Sequence, residues 1–123
     1  MKSIMVVEDD QPIIEMMELM LHRLGFEPLT YMEGPAALAE VQRSPPSLIL
    51  LDVMMTPMNG WEFLERLRAS PATKNLPVLL FTAHPSVESK VAGMNDPNLG
   101  ILLKPVTLPE LEKGIRRFLP PDT

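Results

Sequence analysis

A chain of 123 residues with 46% apolar residues has room for one compact domain and its core, and little room for a second. The absence of cysteine excludes a disulfide framework, a thiolate metal site and a cysteine nucleophile. A formal charge of −5 with no evident basic face argues against direct nucleic-acid binding.

The first strand is predicted over Ile4-Met5-Val6-Val7, which runs into Glu8-Asp9-Asp10. A helix follows, with Asp10 as its cap and Pro12 in its first turn, where a missing N–H costs nothing. Ile13, Met16, Met17, Met20, Leu21 and Leu24 recur at helical spacing, and Gly25 closes the helix. Pro28 to Tyr31 reads as a short second strand. The second helix runs from about Pro35 to Arg43, with Ala37, Leu38 and Val41 inward, and Ser44-Pro45-Pro46 breaks it. The third strand, Leu48-Ile49-Leu50-Leu51, ends on Asp52. A helix beginning near Asn59-Gly60 carries Trp61, Phe63, Leu64 and Leu67 and ends at Ser70-Pro71. The fourth strand, Val78-Leu79-Leu80-Phe81, ends on Thr82. Its helix, roughly Pro85 to Met94, has only Val87, Val91 and Met94 as an apolar stripe, and Asn95 to Gly100 reads as a long turn. Ile101-Leu102-Leu103 runs into Lys104-Pro105. The last helix opens on Thr107 and Glu110 at capping-box spacing, turns Leu108, Leu111, Ile115, Phe118 and Leu119 inward, and stops at Pro120-Pro121.

The apolar runs are too short for typical helices and read as strands buried on both faces. Five strands alternating with five helices imply an α/β fold, a parallel sheet covered on two faces by right-handed crossovers. The flavodoxin-like doubly wound order 2-1-3-4-5 is adopted as a known arrangement for such a chain, not read from the residues. It places the carboxyl ends of strands one and three side by side, where ligands bind in open parallel sheets. Glu8, Asp9 and Asp52 would then meet. Carboxylates so close repel one another unless a cation joins them, and magnesium suits hard oxygen ligands shared with a phosphate. Lys104, the Thr82 hydroxyl and the Ala83 N–H add donors for a phosphoryl group, and a carboxylate can be its nucleophile.

These residues resemble the receiver domain of two-component response regulators, and the resemblance covers essentially the whole chain. It is carried by Glu8-Asp9, by Asp52 with Gly60 eight residues on, by Thr82-Ala83 and by Lys104-Pro105, at intervals of 30 and 22 residues between Asp52, Thr82 and Lys104. Any one of them alone is an ordinary loop residue; all four in order are specific. The resemblance implies that Asp52 accepts a phosphoryl group. It implies that Glu8, Asp9, Asp52 and the Met54 backbone carbonyl hold Mg2+, that Thr82 is the switch hydroxyl and that Lys104 pairs with the phosphate. It also implies a cis peptide before Pro105. The donor would be a sensor histidine kinase or phosphotransfer protein. The target would be an unknown output protein or a fused output domain for which these residues leave no room.

Such a domain is a signalling module, not an enzyme beyond its own phosphorylation and dephosphorylation. Residues 1–119 are expected to form it, with 120–123 a tail or the start of a linker. With no leader and no membrane-length apolar run, a cytoplasmic location is expected. The alternative is a pseudo-receiver, a phosphate-independent interaction domain. An aspartyl-phosphate hydrolase would want an Asp where Met54 stands, and acids after strand one would repel a flavin phosphate. Two departures from the family pattern stand out: Thr56 replaces a common proline, which touches rates and not identity, and Ile101 stands where an aromatic is frequent, which bears on output. The stretch from His84 to Gly100 is expected to be altered or mobile.

Overall fold

The computed structural model describes residues 1–55 and 58–121. Five strands and five helices alternate: β1 Ser3–Val7, α1 Gln11–Arg23, β2 Glu27–Tyr31, α2 Gly34–Arg43, β3 Leu48–Asp52, α3 Gly60–Ala69, β4 Val78–Thr82, α4 Val87–Met94, β5 Leu99–Leu103 and α5 Leu108–Phe118. All pairings are parallel and the order is β2-β1-β3-β4-β5, the expected doubly wound sheet. The register sets Val7 opposite Leu51, Asp52 opposite Phe81 and Thr82 opposite Leu103, so the polar strand ends share one edge.

Two cores flank the sheet. Met5, Val7, Ile49, Leu51, Val78 and Leu80 face α2 and α3, which contribute Ala37, Val41, Phe63, Leu64 and Leu67. Ile4, Val6, Leu48, Leu50, Leu79 and Phe81 face α1 and α5, which contribute Met17, Leu21, Leu111 and Ile115. β1, β3 and β4 are buried on both faces, as their unbroken apolar runs require.

The ends of the helices follow the sequence closely. Gly25 takes φ +87 just past α1, a left-handed turn that suits glycine. The Asn59 side chain accepts from the Glu62 N–H at 2.9 Å, and Thr107 and Glu110 form the complete capping box. Asp10 occupies the N-cap of α1, but its side chain makes no capping hydrogen bond.

Four expectations are corrected. Leu99 and Gly100 belong to β5 and not to the preceding turn; Leu99 is buried opposite Val78. Ile101 to Leu103 are only half-buried, because β5 is an edge strand. In α1 Ile14 is buried along with Met17 and Leu21, while Met16 is 40% exposed: methionine is apolar enough to fit the stripe but lies at its margin. α4 starts at Val87, two residues after Pro85, and among the described residues it is the one helix without a buried side chain. The α4–β5 connection is also tied down. Arg68 donates to Asp96 Oδ2 at 2.7 Å, to the Leu76 carbonyl at 2.8 Å and to the Asn98 carbonyl at 3.1 Å, stapling the end of α3 to two loops. The Thr56 departure lies outside the described residues.

Gly60 closes the fold against the end of β3. Its N–H donates to the Val53 carbonyl at 2.9 Å, and a Cβ there would sit 2.6 Å from the Asp52 carbonyl oxygen and 2.7 Å from Val53 Cα. Backbone cannot yield as a side chain does. Alanine ordinarily favours a helix over glycine by up to about 1 kcal/mol. Gly60→Ala should nevertheless destabilise the protein by about 1–3 kcal/mol through overpacking, read as a lower urea midpoint. An unchanged or higher midpoint would show that the contact relaxes.

Candidate functional site

The site is assembled from the strand ends. Glu8 follows β1, and its N–H is held by the Tyr31 carbonyl at 3.0 Å. Asp52 is the last residue of β3 and Thr82 the last of β4. Lys104 follows β5, with its N–H on the Thr82 carbonyl at 2.8 Å. Rigid backbone therefore aims each side chain at the same edge.

Glu8, Asp9 and Asp52 each bring a carboxylate oxygen to within 4.8 Å of the others, the one such cluster of potential ligands among the described residues. Glu8 is 1% and Asp52 3% exposed, whereas Asp9 lies open to solvent. Lys104 Nζ stands 3.3 Å from Glu8 Oε1 and 3.5 Å from Asp52 Oδ1, bridging the two buried acids. Its stem passes the ring of Phe81, with Nζ 5.0 Å from the centroid. The Met54 N–H donates to Asp52 Oδ1 at 3.1 Å, and the His84 N–H donates to Thr82 Oγ1 at 3.2 Å. Met54 itself is 63% exposed, two residues after Asp52. The peptide between Lys104 and Pro105 is cis, as the resemblance implied.

One lysine does not neutralise three acids. Burial, then the hydrogen bond and negative charge of Asp52, push the Glu8 carboxyl up from 4.5 to about 8, against the opposing pull of Lys104. Glu8 Oε2 is the one buried side-chain oxygen without a hydrogen-bond partner among the described residues. A buried carboxylate oxygen without a donor is costly. A hard cation coordinated by these oxygens would relieve both the orphaned atom and the repulsion, so the donor set fits Mg2+.

Beside the cluster lies an apolar groove of about 310 Å³, walled by Ile13, Met16, Met17, Pro105 and Val106 with Lys104 at its rim. The sequence reading did not foresee it.

The profile of the response regulator receiver domain matches residues 4–116. The chain belongs to this family. It is 34% identical over 119 residues to the sensory transduction protein RegX3 of Mycobacterium tuberculosis H37Rv, covering 97% of this chain and 51% of that protein. The chain thus spans about half the length of this curated relative. A crystal structure of the N-terminal domain of a response regulator receiver protein from Methanoculleus marisnigri JR1 is similar at 37% identity and TM-score 0.79, over 99% of both chains. The Vibrio cholerae chemotaxis protein CheY4 is similar at 32% identity and TM-score 0.86, over 96% of this chain and 98% of that one. Receiver domains are signalling domains of two-component systems, and among the described residues this receiver has no helix long and apolar enough to cross a membrane.

The raised Glu8 carboxyl makes the stability of the metal-free receiver depend on pH. A folded-state value above the unfolded one favours folding fully below 4.5, and that contribution is lost as pH rises through about 8. Relative to Glu8→Gln, which cannot titrate, the wild type should lose stability from pH 5 to pH 8, measured by urea unfolding in EDTA. A constant difference across that range would mean that Glu8 ionises as an ordinary surface acid.

Proposed function

We propose that this domain is a phosphorylation switch in which Asp52 is the phosphoacceptor. The observation that carries the reading is the joint placement of Glu8, Asp9 and Asp52, with carboxylate oxygens within 4.8 Å of one another, and of Lys104, whose ammonium lies within 3.5 Å of Glu8 and Asp52, at the carboxyl edge of the sheet. Glu8, Asp9, Asp52 and the Met54 carbonyl would hold Mg2+. The ion supplies positive charge for phosphoryl oxygens when bound.

The chain's own groups do the rest. Asp52 presents a carboxylate oxygen as nucleophile, and the Met54 N–H holds its Oδ1 in place. Phosphoryl transfer needs an aligned nucleophile and positive charge around the equatorial oxygens. Lys104 supplies fixed charge there. Thr82, nearly buried with its hydroxyl steadied by the His84 N–H, can turn to donate once an anion sits on Asp52. The donor is a sensor histidine kinase or a phosphotransfer protein, and the apolar groove beside Lys104 gives such a partner a surface next to the acceptor. The output is a target protein or an output domain in the same polypeptide, since RegX3 and similar relatives are about twice as long as the matched region. Residues 1–119 are the receiver and 120–123 a tail or the beginning of a linker, in a cytoplasmic protein. No observation favours a phosphate-independent pseudo-receiver, which would have no need to bury Glu8 and Asp52 beside each other.

Incubation with acetyl phosphate and Mg2+ should add one phosphoryl group, detected by intact-protein mass spectrometry. EDTA, Asp52→Asn and Asp9→Ala should each abolish or greatly reduce it. Undiminished labelling of Asp52→Asn would refute the assignment.

A further inference from the structure

The way in which α4 is held to the body of the domain points to a coupling device. None of its residues is buried. Val87 and Val91 pack only partly against the core, and the N-cap Ser86 makes no side-chain cap. One specific contact stands out. Lys90 Nζ lies 4.1 Å from the centroid of the Trp61 ring, a cation–π pair between α4 and the first turn of α3. Trp61 follows Gly60 directly, and Gly60 sits against the Asp52 carbonyl and Val53 Cα with no space for a Cβ. The ring is therefore one residue from a rigid contact with the acceptor's own backbone.

The two ends of α4 differ. Two residues beyond it, Asp96 is held by Arg68 Nε at 2.7 Å, and Asn98 by Arg68 Nη2 at 3.1 Å. The amino-terminal end has only the turn bonds from Val87 N–H to the His84 carbonyl and from Glu88 N–H to the Pro85 carbonyl, at 3.1 and 3.0 Å. Ile101, half-buried on β5, is β-branched and stiff at χ1, so it cannot swing as a long flat side chain could.

We propose that the Lys90–Trp61 pair is the fastener of α4, and that it carries the state of Asp52 to that helix. A shift of the backbone at Asp52 and Val53 moves Gly60 and with it the Trp61 ring. The grip on Lys90 then changes, and α4 loosens from its amino-terminal end about a base fixed by Arg68. The coupling to Asp52 rests on the phosphoryl-switch reading above; the fastening does not.

Hydrogen-exchange mass spectrometry of the wild type, Lys90→Gln and Lys90→Arg separates the two. Lys90 is exposed, so its replacement leaves the core intact. In the resting protein, Lys90→Gln should speed exchange across residues 87–94 by about two- to fivefold, and Lys90→Arg should restore protection, as loss and retention of one cation–π contact predict. With Mg2+ and beryllofluoride, exchange in the wild type should rise over 87–94 but not over 96–99. The rise should be much smaller in Lys90→Gln. Equal resting exchange in the wild type and Lys90→Gln overturns the fastener, and an equal beryllofluoride response in both overturns the coupling. Failure of the wild type to take up phosphate from acetyl phosphate removes the phosphoryl reading and the coupling together, while the resting comparison still decides the fastener.

Discussion

Electrostatic repulsion at one sheet edge is the constraint around which this receiver is built. Glu8, Asp9 and Asp52 bring three carboxylates together, two of them nearly out of solvent, and a single ammonium stands among them. In isolation such a cluster would spread apart or take up protons. Burial and the charge of Asp52 raise the Glu8 carboxyl, and the cluster is kept from spreading by the strands that carry it. β1, β3 and β4 are buried on both faces between two helical layers, so the energy of the core holds the acids where their charges oppose it.

The same rigidity makes the site responsive. Asp52 is fixed by the register of β3 against β4 and by Gly60 pressing on its carbonyl. Lys104 is fixed through its own backbone bond to Thr82. In the proposed switch, a change of charge at Asp52 can shift the end of β3 only slightly, and it passes to groups with more freedom to move: the Thr82 hydroxyl, the exposed Met54, and an α4 that buries nothing. Local stability is lowest where burial is least, and such elements are where switching motions are found.

Much of this was legible in the sequence because β1, β3, β4 and β5 are short, almost wholly apolar and run abruptly into polar residues. Asp52, Thr82 and Lys104 each announce a strand end, and the capping residues Asn59 and Thr107 announce helix starts. Errors arose where side-chain chemistry does not encode tertiary context. Gly100 looks like a turn residue, yet it lies in β5, where a Cβ would meet the Leu79 side chain at 2.7 Å. Met16 matches the apolar period of α1 but borders a groove. Arg68 sits among surface charges of α3, and nothing local reveals that three carbonyls and Asp96 converge on it. Within the stretch from His84 to Gly100, expected to be altered or mobile, α4 packs weakly while its far end is pinned by Arg68. Long-range partners of this kind depend on the packed fold and leave no periodic signature.

The claim that the acidic cluster is a cation-dependent phosphoryl site is tested most directly by amide NMR during sequential addition of Mg2+ and beryllofluoride. Mg2+ alone should shift the amides of Glu8, Asp9 and Met54. Beryllofluoride should then shift Ala83, His84 and Lys104, and should have no effect on the metal-free protein. Unmoved Glu8, Asp9 and Met54 signals at saturating Mg2+, or an equal beryllofluoride response in EDTA, would contradict the account.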